Sequence, residues 1–107
     1  MIKKILQFLA ICSLVISSSY QAKADQTPVI AIIDTGFNTS LFKDKLVAEY
    51  CVVEYVTCPN GKTSMEGEGA ATINFKTTNL TANHGTQMAS VVTRVNPNAK
   101  LVLIRIV

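Results

Sequence analysis

The stretch VIAIIDTGFN, Val29 to Asn38, joins an almost unbroken aliphatic run to an acid, a threonine and a glycine. An apolar run of this length without alternation suits a strand covered on both faces of a parallel sheet. Gly36 then breaks it. A carboxylate closing such a strand is costly to bury unless it is hydrogen-bonded, so Asp34 calls for a partner elsewhere in the chain.

Outward from this segment, NTSLFKDK is a polar turn or short helix, and Leu46 to Val56 is a second β-rich stretch ending near Pro59, Asn60 and Gly61. Residues 62–83 are polar and rich in Gly, Thr and Asn, which predicts a long surface loop with one short strand at Thr72 to Phe75. Asn38-Thr39-Ser40 and Asn79-Leu80-Thr81 match glycosylation acceptors, a pattern common by chance. In NHGTQMASVVTRV, Met88, Val91, Val92 and Val95 recur at helical spacing and are read as core. Asn83 can cap a helix beginning at His84, and Pro97 ends it near Asn96. KLVLIRIV is a further strand, so strand, crossover and strand give an α/β fold with a mostly parallel sheet and helices on both faces. An apolar strand running to Val107 without a turn or charged tail reads as a truncated domain.

The first 24 residues read as an export signal: Lys3 and Lys4, the apolar stretch Ile5 to Ile16, and Ala22-Lys23-Ala24 before a mature start at Asp25. That stretch is too short to span a bilayer, and Ile11 before Cys12 argues against a lipoprotein. The formal charge of +3 resides in this signal. Without Lys3, Lys4 and Lys23, seven basic residues face seven acidic ones, which gives no reason to expect nucleic acid or an anionic membrane as partner. The remainder, residues 25–107, suffices for one small domain and not two.

Cys51 and Cys58 survive signal cleavage, and an exported chain can pair them. A straight strand over CVVEYVTC would hold them roughly 20 Å apart, however, whereas a disulfide needs Cα atoms within about 7 Å. The segment must reverse for a bridge to form, and the sequence leaves both states open.

Two segments, AIIDTG and NHGTQMAS, together resemble the subtilisin-like serine proteases, in which an Asp-Thr-Gly or Asp-Ser-Gly closes a buried strand and His-Gly-Thr opens a helix. The resemblance covers most of Val29 to Val107 and keeps the family's order, aspartate first and histidine about 50 residues later. It implies the amino-terminal portion of a subtilisin-like peptidase domain, with serine endopeptidase activity on a protein or peptide substrate outside the cytoplasm. Asp34 would orient His84, and His84 would act as general base and then general acid. Thr35 and Gly36 would shape the turn beside the acid, with Gly85 and Thr86 at the helix start. Taken singly, Asp34 could merely begin a turn and His84 could be structural; their joint order and context carry the resemblance.

The chain departs from the family at Gln87, Asn83 and Met88, none a triad position. The family's nucleophile and oxyanion asparagine lie downstream of the residues matched here. Thr63-Ser64-Met65 echoes the nucleophile motif but precedes the histidine and lacks its glycine, so Ser64 is not assigned that role. Without nucleophile and oxyanion donor, the 107-residue chain is expected to be inert by itself. No cofactor is implied; calcium, used by some of the family, is not readable from these residues. His84 is the sole histidine and no acidic cluster approaches it in sequence, so no metal site is expected.

Two rival readings remain. Apolar-apolar-Asp-Thr-Gly also marks retroviral-type aspartic proteases, in which Asp34 would share a proton with its twin in a homodimer. None of Gly61, Gly67, Gly69 or Gly85 follows two aliphatic residues as that family requires. The other rival is an exported, non-catalytic α/β binding module derived from a protease.

Overall fold

The computed structural model describes residues 27–73 and 83–106. The export signal at 1–24, the acceptor at Asn79, and the part of the expected Thr72 to Phe75 strand beyond Ile73 lie outside the described residues.

Five elements and a 3-10 turn build the domain: β1 (Val29–Asp34), the turn Thr39–Phe42, β2 (Leu46–Val52), β3 (Ser64–Glu66), helix α1 (His84–Val95) and β4 (Lys100–Ile106). The sheet order is β1-β4-β2-β3. β4 enters between β1 and β2 and runs parallel to both, from Val29↔Lys100 to Asp34↔Arg105 on one side and from Leu46↔Leu101 to Val52↔Ile106 on the other. β3 adds antiparallel to β2. The sheet is therefore mixed but mostly parallel, and α1 makes the crossover into β4.

One side of this sheet holds the main core. Leu101 and Leu103 of β4, with Ile30 and Ile32 of β1, pack against Ala89 and Val92 of α1 and against Phe37, Phe42 and Ala71. The expected helices on both faces are not seen among the described residues, which contain one α-helix, packed on one face. For the same reason β1 is not covered on both sides. It occupies a sheet edge, and Val29 and Ile33 are exposed while Ile30 and Ile32 turn inward. Period-2 alternation then puts Asp34 on the inward face with Ile30 and Ile32, toward α1.

The helix lies where its sequence predicts, but a different stripe is buried. Gly85, Thr86 and Ala89 face the sheet and Val92 continues the seam, whereas Met88, Val91 and Val95, expected in the core, are exposed. Small residues win because they let the helix axis approach the sheet more closely than a valine stripe would. Asn83 also departs from expectation: it has φ −89°, ψ 1° and makes no side-chain cap bond. A capping side chain reaches the first-turn amides from an extended backbone, which this residue does not adopt.

Residues 64–71 were expected to form surface loop and instead contribute structure, while Thr72, expected to open a short strand, makes a single bridge to Phe37. Ser64–Glu66 pair with β2, and Ala70, Ala71 and Ile73 are buried. β2 ends at Val52 rather than Val56 because the chain turns back to join Cys58 to Cys51, with Cα atoms 5.9 Å apart. The bridge anchors a second small core with Val53, Ala70 and Met65. Replacing both cysteines by serine removes an eight-residue loop constraint worth about 2.5 kcal/mol. Urea titration should show that loss, and equal midpoints for the two forms would refute it.

Candidate active site

The carboxyl-terminal ends of the parallel strands, where α/β sheets commonly bind ligands, bring the predicted residues together. Asp34 is the last residue of β1, and the Thr35 amide donates to its Oδ1 at 2.7 Å, with the Thr35 hydroxyl at 3.2 Å. Gly36 then adopts φ +154°, a backbone state that side-chain-bearing residues rarely take, and a Cβ there would run into Ile73 Cγ2. His84 is the first residue of α1, and its Nδ1 lies 2.7 Å from Asp34 Oδ2.

Close approach makes this contact reachable. A Cβ built on Gly85 would stand 2.5 Å from the Gly36 carbonyl oxygen, 2.8 Å from Phe37 Cε1 and 3.0 Å from Asp34 Cβ. Thr86, also buried, accepts a hydrogen bond from the Asn38 amide at 2.9 Å and so ties the first helical turn to the loop after Asp34. Asp34, Thr35, Gly36, His84, Gly85 and Thr86 thus form one cluster. Cys51 and Cys58 stand apart as a structural bridge between β2 and the turn that follows it.

The two partners differ in environment: the Asp34 side chain is 12 % exposed and that of His84 is 62 % exposed. Burial pushes the Asp34 carboxyl upward, but the hydrogen bonds from His84 and Thr35 outweigh it, and the group is held below its ordinary 3.8. A carboxyl whose folded value is depressed stabilises the fold fully above its unfolded value, and that contribution is lost as pH falls through the lowered folded value. The stability gap between the unsubstituted chain and Asp34→Asn is accordingly expected to narrow as pH drops below about 4, as read by thermal melts. A gap that widens on acidification would contradict this arrangement.

The described serines are accounted for elsewhere. Ser40 Oγ donates to Asn38 Oδ1, Ser90 Oγ donates to the Thr86 carbonyl, and Ser64 sits on β3 at the edge of the sheet opposite β1. A hollow of about 600 Å³ beside β2 is lined by Thr39, Lys43, Glu49, Gly67 and Gly69 and excludes both Asp34 and His84. The imidazole–carboxyl pair is the better candidate, because proton transfer needs that geometry and a hollow alone supplies none. Among the described residues no group of three or more His, Cys, Asp or Glu could hold a metal ion, and no helix is long and apolar enough to cross a membrane.

Sequence reasoning missed the contribution of Glu49 and of Ala70 and Ala71. Glu49 carried the same signal as Asp34, a lone acid inside the β-prone run LVAEYCV. Compared with known proteins, the chain matches no family model, no curated sequence and no solved structure.

Proposed function

We propose that this chain carries the aspartate and histidine of a serine endopeptidase of the subtilisin type. The observation that supports it is the 2.7 Å contact between His84 Nδ1 and Asp34 Oδ2, on elements arranged as the sequence resemblance requires. With Nδ1–H directed to the carboxylate, the second ring nitrogen, Nε2, presents its lone pair to a serine hydroxyl. His84 takes the hydroxyl proton as the oxygen attacks the scissile carbonyl, then delivers that proton to the leaving amine. Asp34 keeps the tautomer and stabilises the transient imidazolium; it is not itself protonated. The substrate is a protein or peptide. The Cys51–Cys58 bridge is compatible with an oxidising, extracytoplasmic compartment.

The aspartic-protease reading loses ground on this geometry, because an imidazole occupies the Asp34 oxygen that a twin aspartate would need for proton sharing. Fluorophosphonate labelling separates the cases. The 107-residue chain, which presents no serine to His84 among its described residues, should remain unlabelled and hydrolyse no casein. Any form of the protein that supplies a serine to His84 should label on that serine in a His84-dependent manner. Labelling that persists in His84→Ala, or hydrolysis blocked by pepstatin and not by fluorophosphonate, would overturn the proposal.

A further inference from the structure

Glu49 is a buried acid that the proposed reaction does not use. It lies on β2 opposite Leu103, is 4 % exposed, and its Oε2 accepts a hydrogen bond from the Ala71 amide at 3.2 Å. A buried carboxyl costs free energy unless it is hydrogen-bonded, so an apolar residue would serve better here if packing were the whole requirement.

Ala71 belongs to a strap, Ala70–Ile73, whose other side grips the turn after Asp34. The Phe37 amide donates to the Ala71 carbonyl at 3.1 Å, and the Ile73 amide donates to the Phe37 carbonyl at 3.3 Å, forming a parallel bridge of Phe37 with Thr72. The Thr39 and Thr72 hydroxyls are 2.7 Å apart, and Arg105 Nη1 lies 3.4 Å from the Thr72 carbonyl. Ile73 fills the space left by the absent side chain of Gly36. Phe37, fully buried, also stands against the position a Gly85 side chain would take. A shift of the strap therefore moves the turn that aims Asp34 and the surface on which His84's helix rests.

We propose that Glu49 is a positioning residue for the Asp34–His84 pair, acting through the Ala70–Ile73 strap. The proposal rests on the reading of that pair as catalytic. Glu49→Gln keeps the length and an acceptor oxygen, whereas Glu49→Asp keeps the acid but withdraws it by about 1.5 Å, out of reach of the Ala71 amide.

The readout is the His84 ring-nitrogen NMR resonance of a protonated Nδ1 in the full chain, detected through the carbon-bound ring protons because the ring is 62 % exposed and its N–H exchanges with water. Glu49→Asp should lose it while circular dichroism and the β1–β4 cross-strand contacts persist, and Glu49→Gln should restore it. A folded Glu49→Asp protein that keeps the resonance at full intensity would overturn the positioning role. Should Glu49→Asp fail to fold, Glu49→Leu, which fills the site with an apolar side chain and offers the Ala71 amide no acceptor, is expected to lose the resonance, and a folded Glu49→Leu protein that keeps it would overturn the role equally. Ring-nitrogen shifts of the unsubstituted protein that place the His84 proton on Nε2 instead of Nδ1 would refute the Asp34–His84 reading itself, so the two failures are distinguishable.

Discussion

On the proposed serine-peptidase reading, Asp34→Asn should lower peptide hydrolysis about 10⁴-fold in a form of the protein that supplies a serine to His84, with the fold intact. Asparagine has nearly the shape of aspartate and can still accept the Thr35 amide that now reaches Oδ1. Its amide nitrogen, however, donates where the carboxylate accepted, so it favours the imidazole tautomer with the proton on the wrong nitrogen. His84→Ala removes the base outright and should cost about 10⁶-fold. The double variant should be no worse than His84→Ala, because residues acting as one unit lose their effect together. Steady-state kcat for the three variants checks this. A loss under tenfold for Asp34→Asn would mean that the 2.7 Å contact is structural and not catalytic.

Gly85→Ala should destabilise the domain by about 2 kcal/mol and break the Asp34–His84 bond. Intrinsic propensity argues the other way, since Gly to Ala inside a helix ordinarily gains about 1 kcal/mol. The local contacts decide the sign. The added methyl would meet the Gly36 carbonyl oxygen at 2.5 Å, and backbone cannot rotate aside as a side chain can. Relief requires the amino end of α1 to lift from the sheet, carrying His84 with it. Overpacking of this kind costs about 1–3 kcal/mol and here exceeds the propensity gain. Chemical denaturation gives the stability, and the His84 ring-nitrogen resonance gives the geometry. A stabilised Gly85→Ala protein would show that the helix has room to spare.

Much of the candidate site was legible because local signals were strong. Asp34-Thr35-Gly36 marked the end of a strand, and His84 followed by Gly and Thr marked the start of a helix ended by Pro97. The boundaries of α1 and β4 agree with that reading. The buried stripe of α1 was misread, because periodicity weighs hydrophobicity and the selecting force here is closeness: Gly85 and Ala89 pack and Met88, Val91 and Val95 do not. Residues 64–71 were misread as loop because their composition is polar and glycine-rich, while Ser64–Glu66 pair with β2 and Ala70 and Ala71 are buried by contacts distant in sequence.

The sequence by itself determined the chemical types, their order, and the strand end and helix start that present them, because the dihedral preferences of glycine and proline and of the aliphatic run are local properties. Tertiary structure alone decided that β4 lies between β1 and β2, that Cys58 returns to Cys51, and that a strap held by Glu49 supports the turn beside Asp34. Those outcomes depend on which surfaces can approach one another across tens of residues. Distance between the sheet and the first turn of α1, set by the missing side chain of Gly85, is what converts an acid and an imidazole fifty residues apart into a hydrogen-bonded pair.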